Sequence, residues 1–214
     1  MKQTEGTETA NVSFDLGAAT MNYGNNATYF QWGRKDPMPP STGLANKNKP
    51  IYGTYTALSN IYTTDIAATI RTPYYFNSDN GNPSLELWNV GNTSTTVNID
   101  PVVKSIYDPS PAGFHLPPSG AFDGWDENNR YYWNYDTSGL KGMYVYQLAP
   151  NTGTIIFFPA FGYYYNGHSA IGYYWSAGAS SASIGRHLYF SSGGVRPQDK
   201  DSRSYGYTVR SVSE

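Results

Sequence analysis

The sequence predicts an α+β domain of short strands, two short helices and many loops, and three observations carry that expectation. Apolar residues alternate with polar ones in brief runs, as half-buried strands require. Two short stretches carry helix-starting chemistry. The 22 glycines and 14 prolines are spread throughout the 214 residues and form no linker that would divide the chain. A single domain over residues 11–214 follows, preceded by a polar, aperiodic leader at residues 1–10.

In order, Val12, Phe14 and Leu16 alternate with Ser13 and Asp15, which predicts a first strand. Tyr29, Phe30, Gln31 and Trp32 read as a second, ended by the turn at Asp36-Pro37, and residues 38–50 are loop. Residues 64–71 form the best helix candidate, because Thr64 can cap the first amides, Ile66 and Ile70 lie four apart, and Pro73 bars continuation. Residues 77–82 are turn-rich, and a second short helix is expected from Pro117-Pro118-Ser119 through Ala121-Phe122. Strands are then expected at residues 154–161, 186–190 and 205–212, with Ser191-Ser192-Gly193-Gly194 as a connecting turn. Alternation over residues 186–190 puts Leu188 and Phe190 on one face and His187 and Tyr189 on the other, which is free to meet a ligand.

Composition removes several classes of function. A net charge of -2 with only 14% charged residues offers no basic footprint for nucleic acid. Cysteine is absent, which excludes disulfides, thiolate catalysis and cysteine-based metal sites. No apolar run approaches the roughly 20 residues that span a bilayer, and the first residues do not resemble a signal peptide. Tyrosine is in excess, with 21 copies beside 5 Trp and 9 Phe. Its ring packs as apolar area while its hydroxyl stays wet, a pairing that binding surfaces and β-rich folds both use.

The last forty or so residues have a distinctive layout. Apolar Trp175, Leu188, Phe190, Val195, Val209 and Val212 recur between permissive polar stretches at residues 180–183 and 196–201. A fixed frame bearing a tolerant surface suits recognition rather than chemistry.

Three phrases, Tyr29-Phe30-Gln31-Trp32-Gly33-Arg34-Lys35-Asp36-Pro37, Tyr107-Asp108-Pro109-Ser110-Pro111-Ala112-Gly113-Phe114-His115-Leu116-Pro117, and Gly172-Tyr173-Tyr174-Trp175-Ser176 with Gly206-Tyr207-Thr208-Val209-Arg210, span nearly the whole chain. Together they resemble the major paralogous domain family (FISUMP) of bacterial fimbrillin-related and lipoprotein surface proteins. The resemblance implies a C-type lectin-like fold of the formylglycine-generating-enzyme-like branch, which also scaffolds the variable proteins of diversity-generating retroelements. It implies that Trp175, Leu188, Phe190, Val195, Gly206, Val209 and Arg210 are the frame. The ligand-facing positions would then be Tyr173, Ser180, Ser181, Ser183, Arg186, His187, Tyr189, Arg196, Gln198, Asp199, Asp201, Tyr205 and Tyr207. Relatives with this pattern carry cysteines, implied to pair, where this chain has Ser110 and Ser211. Without such a bond, packing must supply roughly 3–5 kcal/mol that a long-range disulfide contributes in the chain-entropy model.

Enzymatic readings find little support. The oxygen-using enzyme of that fold branch depends on cysteines, so its activity does not transfer. A glycosidase needs two carboxylates held about 5–10 Å apart, and Asp65, Asp79, Glu86, Asp123, Asp126 and Glu127 show no ordering motif. His115, His168 and His187 lack the spacing of a zinc site. No cofactor is expected; structural calcium is the one ion that the loops at residues 79–82 and 123–127 could take, although both also read as ordinary turns. The aromatic clusters at residues 131–135 and 163–166 suit binding or packing equally, with at least one of Tyr163, Tyr164 and Tyr165 in the core. The expected role is a non-catalytic binding protein of the bacterial surface, its signal or lipid anchor absent from this chain, whose partner is a protein or glycan on another cell or surface. The alternatives are a self-assembling pilin-like or adhesin subunit with a fimbrial partner, or a carbohydrate-binding module.

Overall fold

A computed structural model describes residues 2–5, 8–15, 20–23, 26–27, 29–36, 62–63, 76–77, 84–126, 131–135, 141–146, 155–163 and 170–214. Strands β1 (Lys2–Glu5), β2 (Glu8–Asp15), β3 (Thr20–Tyr23) and β4 (Asn26–Ala27) pair in sequence order as an antiparallel meander. The first ten residues, expected as a leader, thus supply β1 and the start of β2. Two small pairs follow, β6 (Tyr62–Thr63) with β7 (Phe76–Asn77), and β8 (Phe114–His115) with β16 (Val212–Ser213). Strands β9 (Tyr131–Tyr135), β10 (Lys141–Tyr146) and β11 (Ile155–Pro159) form a three-stranded antiparallel sheet with β10 in the middle.

The sheet that positions the site contains β12 (Ile171–Ala179), β13 (Ile184–Ser191), β14 (Gly194–Ser202), β15 (Gly206–Val209) and β5 (Phe30–Gln31). Its order is β14-β13-β12-β15-β5, with β15 parallel to β12 and every other neighbour antiparallel. The β13–β14 turn falls on Ser192-Gly193, as the sequence predicts, and Gly194 leaves it at φ 145°, which favours glycine.

Both faces of this sheet are packed. On one, Tyr174, Leu188, Phe190 and Val195 meet Phe122, Met143, Val145, Phe158 and Ala160. Gly172 belongs to this face because the Phe190 ring occupies the space a Cβ would need, 2.0 Å away. On the other, Phe30, Trp175, Ala177, Tyr207 and Val209 meet Trp32, Leu87, Trp88, Val102 and Leu116. Three buried indoles keep their hydrogen bonds: Trp32 Nε1 donates to Ser176 O (3.1 Å), Trp88 Nε1 to Tyr107 O (3.0 Å) and Trp175 Nε1 to Phe30 O (2.9 Å). Asp108, fully buried, accepts Ser110 N at 2.7 Å and Leu116 N at 3.0 Å, so the Asp-Pro-Ser-Pro phrase is a loop clamp.

The expected α+β, C-type lectin-like arrangement with two short helices is corrected. Among the described residues there are strands and turns and no helix. The stretch expected as the second helix is a chain of tight turns, in which Ala121, Asp123 and Trp125 each donate to a carbonyl three residues back. Gly120 and Gly124, the latter at φ 75°, disfavour a helix, and the Ser119 hydroxyl bonds Asn98 instead of capping one. The first helix candidate, residues 64–71, lies outside the described residues. The closing strand predicted at residues 205–212 is split between two sheets, β15 and β16. At the break Arg210 donates to Phe157 O (2.6 Å) and Ser211 to the Ser110 hydroxyl (2.7 Å).

Candidate functional site

Part of the second face of the five-stranded sheet remains uncovered, and tyrosines fill it. Antiparallel pairing sets Tyr173 opposite Tyr189 and Trp175 opposite His187, so the four side chains share a face. On the next ladder Tyr189 meets Arg196 and His187 meets Asp199, and alternation along β14 adds Asp201 to the same side. Strand β15 contributes Tyr207, stacked on Tyr173 with 4.6 Å between centroids. Tyr163 lies edge-on to Tyr173 at 5.4 Å, and Tyr205 lies 6.0 Å from Tyr163. Tyr163, Tyr173 and Tyr189 are half-buried and Tyr205 is exposed, so all four rings keep some contact with solvent.

Beneath the rings lies His187, only 1% exposed, with Tyr207 at 4.9 Å and Tyr173 at 5.7 Å. Its Nε2 is 3.6 Å from Asp201 Oδ2, beyond hydrogen-bond length, and neither ring nitrogen has a hydrogen-bond partner. Burial pushes the imidazole down to about 4, against the opposing pull of Asp199, so it is neutral at pH 7. Tyr207 donates its phenolic hydrogen to Asp201 Oδ2 at 2.7 Å, and burial raises that phenol further. Burial also raises the Asp201 carboxyl, which the Tyr207 hydrogen bond partly counters. Tyr173 is pushed up to about 12, first by burial and then by the phenols and carboxylates around it. At the rim, Arg196 lies 5.0 Å over the Tyr189 ring while its Nη1 sits 3.5 Å from Asp199 Oδ2.

Eight of the thirteen residues expected to face a ligand converge on this patch: Tyr173, His187, Tyr189, Arg196, Asp199, Asp201, Tyr205 and Tyr207. Two of them, His187 and Tyr207, are sealed and form its floor. The other five lie elsewhere. Ser181 caps the β12–β13 hairpin, accepting the amides of Ser183 and Ile184, while Ser180 N bonds Ile184 O. These serines sit at the far end of β12 from Tyr173, seven residues along, or roughly 23 Å in an extended strand. Arg186 points to the opposite side from His187 and donates to Thr95 O at 2.8 Å. Gln198, displaced by the β14 irregularity between His187 and Tyr189 pairings, donates to Ser119 O and Asp123 Oδ1.

Tyr163 is the member that sequence reasoning did not assign to the site; the tyrosine run at 163–165 left packing and binding open. Trp133 of the other cluster packs against Phe190, 6.3 Å between centroids. His115 Nδ1 lies 2.6 Å from Leu116 O, a local backbone contact. The loop at residues 79–82 and His168 lie outside the described residues. Among the described residues no three histidines, aspartates or glutamates gather as a metal site would need.

The described residues form an all-sheet arrangement whose main sheet carries a tyrosine and carboxylate face on a frame of buried aromatic residues. Comparison with family models, curated proteins and solved structures finds no match. No helix among the described residues is long and apolar enough to cross a membrane.

Proposed function

We propose that this chain is a non-catalytic binding protein of the bacterial surface, related to the major paralogous domain group, whose C-terminal strands carry exchangeable contact residues as targets of a diversity-generating retroelement. One observation carries this reading: the division of residues 172–210 into sealed frame and open face. Trp175, Leu188, Phe190, Gly206 and Val209 are buried, whereas Tyr173, Tyr189, Arg196, Asp199 and Tyr205 reach solvent from the same strands. Contact between Ser110 and Ser211, where the relatives carry cysteines, also supports it. A rigid frame reduces the entropy cost of ordering a binding surface and lets surface residues change at little cost in stability. His187 is the one group on this face with an ordinary pKa near neutrality, and it is sealed beneath tyrosine, which speaks for recognition over proton transfer.

The test combines Tyr189→Ala and Tyr205→Ala with ligand capture and thermal melting. Binding is expected to fall at least tenfold while Tm shifts by no more than a few degrees. A collapse of Tm in both variants would make the rings core and end the reading. A second reading, a self-assembling pilin-like or adhesin subunit, is favoured by Ile99 and Ile106, which are 76% and 77% exposed on the loop layer. It requires concentration-dependent assembly in sedimentation, where the first reading requires a monomer.

A further inference from the structure

The open face bears charge as well as rings. Asp199, Asp201 and Arg196 are its charged residues on β13 and β14, two carboxylates against one guanidinium, and His187 below them is neutral. Asp199 is already served, with Lys200 N on Oδ1 at 3.1 Å and Arg196 beside Oδ2. Among the described residues Asp201 accepts the Tyr207 hydroxyl on Oδ2 and no hydrogen bond on Oδ1. Below it the buried His187 turns an unbonded Nε2 toward the same carboxylate.

Arg196 displays, within the chain, how this surface accommodates a guanidinium: over one tyrosine ring and next to one aspartate. Along the sheet Asp201 offers a second oxygen beside the row of rings Tyr173, Tyr207 and Tyr205, in which Tyr173 is stacked on Tyr207 and edged by Tyr163 while Tyr205 is exposed. Resting on the binding role proposed above, we propose that this face takes an arginine side chain of a protein ligand, its guanidinium over the exposed Tyr205 ring and hydrogen-bonded to Asp201. A sugar ring would use the aromatic faces equally well, but it would leave a partly desolvated carboxylate without a counter-charge. A cation relieves that cost, and the raised carboxyl of Asp201 indicates that the cost is present.

The experiment titrates the whole protein, with its tyrosine rings isotope-labelled for NMR, using acetyl-Gly-Arg-Gly-amide and the same peptide with citrulline in place of arginine. Citrulline keeps the shape and removes the charge. At millimolar peptide, where single-residue contacts are measurable, the arginine form is expected to shift the resonances of Tyr205 and of the rings beside it. The citrulline form should bind at least roughly tenfold more weakly, as should the arginine form to the Asp201→Asn protein, in which the Tyr207 hydroxyl keeps an acceptor. Tyr205→Ala, at an exposed position, gives the same loss if the asparagine variant fails to fold. Equal binding of the two peptides, or no shift with either, overturns the inference. Chito-oligosaccharide shifting these rings where the arginine peptide does not would overturn it too, yet leave the binding role intact. Burial of the face by self-association at working concentration would end both.

Discussion

His187 shows how one residue couples the site to stability. Its folded pKa is depressed by burial from 6.5 to about 4, so between those values the unfolded chain binds a proton that the folded chain refuses. Stability is therefore full above pH 6.5 and is lost as pH falls toward 4, by about 3 kcal/mol if this group acted alone. Asp201 has the opposite sign: its raised folded value makes the protein gain stability as pH falls through it, which offsets part of the loss. Urea midpoints at pH 7, 5.5 and 4.5 are expected to decline, and His187→Gln to flatten that decline; an unchanged slope in the variant would exclude His187 as its source. The sequence shows a histidine alternating with Leu188 and Phe190, which identifies its face. It cannot show that Tyr207, twenty residues later, closes over that histidine, because the contact depends on β15 crossing back beside β12.

At the scale of elements, β13 and its turn into β14 are the most legible part of the chain, whereas β12 is not expected as a strand from the sequence. Leu188 and Phe190 alternate with His187 and Tyr189 over enough residues to fix which set faces the core, and the Ser-Ser-Gly-Gly turn sets the register. Of the frame residues, Leu188 and Phe190 follow from that alternation, while the others are implied by the resemblance. The second helix misleads because Pro117-Pro118-Ser119 resembles a helix start, while the hydrogen bonds that decide the matter come from Asn98, twenty-one residues earlier. Within β12 the tightest position is Gly172, whose missing side chain leaves room for the Phe190 ring. Gly172→Ala is expected to cost about 1–3 kcal/mol, read as a lower denaturation midpoint, because the ring is held between Tyr174 and Trp133 and cannot withdraw freely. Adding Phe190→Leu to that variant should recover part of the loss.

The molecule as a whole is stitched by contacts of long sequence separation. Ser110 and Ser211, 101 positions apart, meet through their buried hydroxyls. Cysteines at both positions should oxidise to a disulfide and stabilise the fold by about 2–4 kcal/mol, seen as a Tm that falls on adding reductant; two free thiols in the folded, air-exposed protein would show that the backbones stand too far apart. Such distant pairings are what a linear reading recovers least well. The phrases holding Trp32, Asp108 and Trp175 stand out as motifs, but nothing local says that Trp32 and Trp175 bond each other's strands.

The position of β15 between β12 and β5 has a consequence for biogenesis. Residues 206–209 fill the gap between a strand at residues 30–31 and one at residues 171–179. A ribosome must therefore release nearly all of this domain before the sheet can close, and folding is slow, as large loop closures make it. Until then the aromatic rings that the finished sheet buries stay exposed to one another, which makes the unclosed polypeptide prone to clumping.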